Sequence, residues 1–362
     1  MGASSDSVYN RGMKRTSSSN ANTDNLKKDS RRFRAVMLAG IVLLLVAAVA
    51  ALGMGRYPIP FSTVLKELIG QGTAVSSIHT IIFNVRLPRI LLSILAGSGL
   101  AISGLAFQCL FSNPLATPDT LGTADGASFG ACLAILLGFH SAGVQQLSLW
   151  MGAAAVGLVF LITGRSDRYR SGSMVYVILA GLVISALFQA LVSITKFTAD
   201  PLDQLPQITF WLMGSFSGVT RQSLLTAAPL ILLGIVLLTA LRFRLNALSL
   251  SREEAESLGL NLPLVRFLVI FSASAITAAA VSVCGVIGWV GLLVPHICRM
   301  LVGNDTMRCQ PACIVIGGLF MLVTDTFARC ISAAEIPVSI LTALIGAPVF
   351  IILLRRTGGI HA

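Results

Sequence analysis

Ten apolar runs, each close to twenty residues long, limit what this chain can fold into. They fall at about 35–54, 88–107, 121–138, 146–163, 173–195, 224–241, 264–283, 286–302, 311–330 and 338–354. A helix rises about 1.5 Å per residue, so roughly twenty residues match the hydrocarbon thickness of a bilayer. In lipid, every backbone N–H and C=O needs an internal partner, which leaves helices or closed barrels. Barrel strands need only about ten residues, half the length of these runs. The predicted fold class is therefore all-α: a polytopic membrane protein with ten transmembrane helices. The composition agrees. Hydrophobic residues make up 55% of the chain, charged residues 11%, and the mean hydropathy is +0.85, more apolar surface than a water-soluble core can cover.

The ends and loops divide the chain further. Residues 1–34 are rich in Ser, Asn, Lys and Arg and read as a disordered tail. The membrane-embedded body spans 35–356, and 357–362 form a short second tail. Between the first two runs, FSTVLKELIG has the spacing of an amphipathic interfacial helix, whereas the apolar piece near 207–217 is too short to cross. An even number of crossings puts both termini on one side. That side collects 19 of the 26 Lys and Arg residues, against 7 opposite; without the tail the ratio is 11 to 7. The positive-inside rule then makes both termini cytoplasmic and the chain a multi-pass protein of the cell membrane.

The same rule places the longest polar interruption of the second half, RFRLNALSLSREEAESLGLNLP at 242–263, in the cytoplasm. Ser251 stands at an N-cap position and Glu254, three residues on, completes a capping box. Glu253 and Glu254 lie in the first turn, where the helix dipole favours negative charge. Gly259 supplies the stop and Pro263 blocks continuation. A lone helix of about two turns is marginal by itself. It needs something outside the bilayer to lean on, and another protein is the expected partner.

Three cations break the charge bias near the outer membrane ends: Arg86, Arg89 and Arg329. Arg329 follows Asp325 by one helical turn, so an ion pair between them is expected. The three arginines read either as snorkelling anchors or as a cationic ring for an acidic partner outside. An acid at membrane depth is a functional candidate by default, so Asp325 also supports an alternative: an ion-coupled secondary transporter. Other chemistry has little footing. There is no G-x-x-x-x-G-K-[ST] phosphate loop, the four histidines are scattered, and the seven cysteines read as small buried hydrophobes. No catalytic or metal-binding residues are predicted. Residues 101–118 and 280–298 share a small-residue start, a broken apolar run and a Pro, a faint internal repeat.

Several motifs, in this order, resemble one family. They are RLPR at 86–89, GLAISGLAFQCLFSNPLATPDTLG at 99–122, WLMGS at 211–215, LNALSLSREEAESLGLN at 245–261, GVIGWVGLLVPHICR at 285–299, DTFAR at 325–329 and EIPVSILTALIGAPVFIILLRR at 335–356. Together they resemble the FecCD-type permease subunits of binding-protein-dependent ABC importers for iron–siderophores, haem and vitamin B12. The departures are Trp289 for the usual Phe, Thr306 for a common His, and Ser339 for the usual Gly.

The resemblance implies the type II ABC importer permease fold. It implies a second permease subunit, identical or paralogous, two cytoplasmic ATPase subunits and an extracytoplasmic binding protein. ATP and Mg²⁺ would sit on the ATPase, with no cofactor on this chain, and the cargo would be a ferric siderophore or related chelate. It also assigns roles. Ser251, Glu253, Glu254, Ala255, Leu258 and Gly259 would couple to the ATPase. Arg86, Arg89 and Arg329 would meet acids of the binding protein. Asn113 and Leu115, with Ser171 and Ser173, would gate the pathway.

Overall fold

The computed structural model describes residues 5–71, 77–164, 174–248, 252–332 and 334–356. Among these it is helical, without strands. The helices are α1 Ser5–Gly53, α2 Phe61–Leu68, α3 Ser77–Leu110, α4 Thr123–Leu136, α5 Ser141–Thr163, α6 Met174–Thr198 and α7 Gln204–Leu212. Then follow α8 Arg221–Ala240, α9 Arg242–Ala247, α10 Arg252–Ser257, α11 Leu262–Cys284, α12 Val290–Val302, α13 Thr306–Cys330 and α14 Val338–Arg356.

Seven helices among the described residues are long and apolar enough to cross a membrane, and α4, α12 and the Val338–Ile352 part of α14 are shorter apolar helices. These ten segments coincide with the ten apolar runs. α2 occupies the predicted interfacial stretch. α7 fills the short apolar piece. The backbone of α1 is helical from Ser5, through the stretch expected to be a disordered tail, while its crossing part is Lys28–Gly53. Adding turns to an existing helix needs no new nucleus, which lets the polar segment follow.

Helix α3 is the centre of the bundle and is buried along most of its length, whereas α1, α6 and α8 turn leucines and valines such as Leu43, Val183 and Leu233 outward. Lipid tails are as apolar as Leu, so the centre is selected by how closely backbones can approach. Gly97 of α3 packs on Gly317 of α13, and Gly104 of α3 packs on the Gly291 backbone of α12. A Cβ at Gly97 or Gly104 would overlap the facing carbonyl.

The two short helices start deep. The Thr123 carbonyl, at the head of α4, lies beside Gly152 in the middle of α5, and Gly291, at the head of α12, lies against Leu100 and Gly104 in the middle of α3. Return segments, 111–122 and 285–289, lead into them, the first carrying one 3₁₀ turn at Pro118–Leu121. Gly122 and Gly285 take left-handed φ values of +72° and +68°, as does Trp289 at +71°, a costly geometry for a bulky residue. Trp289 is held there by packing on Gly346 and Phe350 of α14. α4 runs away from the side of the chain termini and α12 runs toward it. The two stretches with the faint sequence repeat, 101–118 and 280–298, each carry the end of a long helix and the return segment behind it, and the half-length helices that follow run in opposite directions, an arrangement that puts irregular backbone where it can line a cavity.

Candidate functional site

Three regions carry the predicted site residues. On the side of the termini, α9 and α10 form the polar interruption. Ser251 lies outside the described residues, as do Ser171, Ser173 and the side chain of Glu253. α10 begins at Arg252, and Gly259 ends the turn with φ +74°. Ala255 is buried, while Glu254 and Leu258 are exposed. The next helix starts at once, with the Asn261 side chain accepting from the Leu264 N–H at 3.2 Å. The result is a short knob presenting a carboxylate and a leucine.

Ahead of the knob, α9 is tied to the bundle through Asn246, a residue the sequence reading did not single out. Its amide nitrogen donates to Asp305 Oδ1 at 2.9 Å, and its amide oxygen accepts from the Thr306 N–H at 2.9 Å. Asp305 also caps α13, accepting from the Met307 N–H at 3.0 Å. Gln310, one turn along, donates to the Leu238 carbonyl at 2.8 Å and so joins α13 to the end of α8. Displacing α9 therefore moves the start of α13. Replacing Asn246 with alanine leaves the Asp305 carboxylate and the Thr306 N–H short of a partner, a loss of about 1–3 kcal/mol. We expect the variant to melt several degrees lower in detergent, with the start of α13 loosened, read by hydrogen exchange at residues 305–310.

Next to this junction is the second region, a cavity of about 390 Å³ lined by Gln108, Ser112, Asn113, His296, Arg299 and Asn304, among others. Asn113 and Leu115 are both exposed at its edge, and the Asn113 side chain holds the turn by accepting from the Leu115 N–H at 2.9 Å. Arg299 Nη1 donates to Gln108 Oε1 at 2.6 Å.

The third region is the opposite mouth. Arg86, Arg89 and Arg329 do meet there, but each is only 5–7% exposed. Arg86 donates to the carbonyls of Leu52 and Tyr57, and Arg329 donates to the carbonyl of Ala51. Both hold the C-terminal end of α1, where a cation complements unpaired carbonyls. The predicted Asp325–Arg329 pair is corrected. Asp325, 0% exposed, is gripped by Arg89, whose Nε and Nη2 lie 2.9–3.1 Å from its two oxygens. Arg89 also reaches Glu335 at 2.9 Å. Spacing along one helix favoured Arg329, but a planar guanidinium on the facing helix can bind the carboxylate with two nitrogens. The acid on which an ion-coupled mechanism would depend is thus already committed. Ser339, which replaces a family glycine, donates to the Met213 carbonyl and pins the start of α14 to the end of α7.

A bundle of ten apolar helices, with half-length helices inside it and a polar knob on one side, has the architecture of a membrane-spanning transport subunit. The profile of the FecCD transport family matches residues 43–356. The chain belongs to that family, and its class is the permease subunit of an ABC importer. It is 42% identical over 324 residues to the molybdate import system permease protein MolB of Haemophilus influenzae, covering 88% of this chain and 95% of the relative. It is 36% identical over 338 residues to the Fe(3+)-citrate import system permease protein YfmE of Bacillus subtilis, covering 91% and 98%. A solved structure described as a metal-chelate type ABC transporter in an inward-facing conformation superposes with a TM-score of 0.80 at 40% identity, covering 89% of this chain and 99% of that one.

Proposed function

We propose that this chain is the permease of an importer for a metal-containing anion, working as one of a pair with two cytoplasmic ATPase subunits and an extracytoplasmic binding protein. The side of the termini is cytoplasmic, on the charge bias of the loops. The knob of residues 251–259 seats in the ATPase, and its displacement passes through Asn246 to the head of α13. The observation supporting this is the double hydrogen bond of Asn246 to Asp305 and Thr306, which ties α9, the helix just ahead of the knob, to the head of α13 beside the cavity at Asn113. Asn113 and Leu115 act as the gate, with Ser171 and Ser173 completing it. Arg86, Arg89 and Arg329 act in docking through their field. Three guanidinium groups against Asp325 and Glu335 leave one net positive charge at the mouth, which favours an acidic partner and is weakened by salt.

Two cargo readings each have support. A ferric siderophore or related chelate follows from the family motifs and from the likeness to the ferric citrate permease. Molybdate follows from the likeness to the molybdate permease. Uptake of radiolabelled ferric siderophore, ferric citrate and molybdate by a deletion strain carrying the complete system separates them.

The coupling role is tested by Glu254→Lys, which reverses charge on the exposed face of the knob. We expect uptake and cargo-stimulated ATP hydrolysis to fall at least about tenfold, the equivalent of about 1.4 kcal/mol of lost coupling, with membrane levels of the protein unchanged. Normal uptake by that variant would rule out the knob as the point of drive.

A further inference from the structure

We infer that the cavity at the cytoplasmic ends of α3 and α12 is a staging site for the anionic part of the cargo, an oxyanion or chelate carboxylate, held by Arg299 after it has passed the mid-membrane half-helices. The inference rests on the permease reading and adds a ligand-binding step to it.

The lining carries the argument. Arg299 donates one nitrogen to Gln108 Oε1 and also meets the Cys109 thiol; the Gln108 bond fixes the guanidinium in the cavity wall, and its five N–H donors exceed these two contacts. His296 lies three residues before Arg299, on the same face of α12. Its ring packs against Phe350, and its Nε2 is buried without a hydrogen-bond partner. Ser112, Asn113 and Asn304 add hydroxyl and amide groups from two other segments. A second cation borders the cavity: Arg32 of α1 donates to the carbonyl of the lining residue Met300 at 2.9 Å.

Among the described residues, no carboxylate lines the cavity. The nearest in sequence, Asp305, is turned away and bound to Asn246 and the Met307 N–H. A wall with a tethered guanidinium, neutral donors and no acid is selective for anions. Its neighbours are the Asn113 turn and, through Asn304 and Asp305, the junction that answers to the knob. Binding here is linked to the drive by adjacency along a single turn. A site on a conduction path must also release what it holds, which suits one arginine and a ring of neutral groups better than a closed cage.

The test uses the purified full-length chain in nanodiscs, without ATPase or binding protein. Equilibrium dialysis with radiolabelled molybdate, and separately with radiolabelled ferric citrate, should show saturable binding of at least one probe, weakened at high salt. Arg299→Gln should weaken it by about tenfold or more, and Arg299→Lys by less, since charge is kept and the planar fork is lost. Asn304→Asp brings a carboxylate into the lining without touching the Arg299–Gln108 bond and should also weaken it, which guards against misfolding of the Arg299 variants. No saturable binding of either probe to the wild type, or binding as tight as wild type by both Arg299→Gln and Asn304→Asp, would overturn the inference. ATP-driven uptake by the complete wild-type importer is measured in parallel. Uptake without binding sinks the staging site and leaves the permease reading standing, and binding without uptake does the reverse.

Discussion

Arg89→Leu is expected to be among the most damaging single changes in this protein. It would leave Asp325 fully buried with its guanidinium partner gone and would release Glu335 as well. Removing one member of a buried ion pair costs about 3–5 kcal/mol, because the remaining charge has lost both water and its counter-charge. In detergent or nanodiscs the variant should melt many degrees lower, and uptake should be lost with it. Adding Asp325→Asn should recover part of the stability, since the orphaned charge is then removed. Arg329→Leu supplies the comparison. It removes a hydrogen bond to the α1 end without stranding Asp325, so its effect should be clearly smaller. Equal melting temperatures for Arg89→Leu and the wild type would mean that the pair contributes nothing to the fold.

Gly104→Ala is expected to be comparably severe, although it adds a single methyl group. The new Cβ would fall within the van der Waals shell of the Gly291 carbonyl, and backbone cannot step aside as a side chain can. The helices α3 and α12 must separate, which also shifts the return segment at 285–289 and the Trp289 contact with α14. Overpacking of this kind costs about 1–3 kcal/mol or more. Here it falls on the helix pair that carries Gln108 and Arg299, so uptake should drop even where the protein still assembles. Gly157→Ala is the control. It lies on α5 with open space around the position, and the substitution should be neutral or stabilising by up to about 1 kcal/mol. Size-exclusion yield and uptake, read on both variants, decide the matter. Similar yields for the two would show that the α3–α12 contact can relax.

Much of this was legible in the chain. The ten spans were readable because hydrocarbon thickness imposes one length on every crossing helix. The Gly259 stop was readable because a left-handed residue at a helix end is most often glycine. The motif order identified the family because the motifs lie along most of the chain. Other features were out of reach. Asn246 is one polar residue among several in a polar loop, and only its double bond to Asp305 and Thr306 sets it apart. Asn113 was named from its motif, but its cavity neighbours Gln108 and Arg299 lie almost two hundred positions apart, on segments that the fold brings together. The partner of Asp325 was misread for the same reason: a rule of spacing along one helix cannot see a residue on the facing one.

The sequence by itself determined that this chain lies in a membrane, how many times it crosses, where its polar knob breaks the pattern and which family it joins. Those properties follow from local composition and from a solvent that allows few alternatives. The tertiary structure alone decided which arginine holds Asp325, that the cations of the mouth opposite the termini are buried and engaged, and that Arg299 faces a cavity. Hydrogen bonds and ion pairs are set within a few ångströms in space, and contacts between positions 89 and 325, or 246 and 305, depend on how helices pack, which no short stretch of the chain encodes.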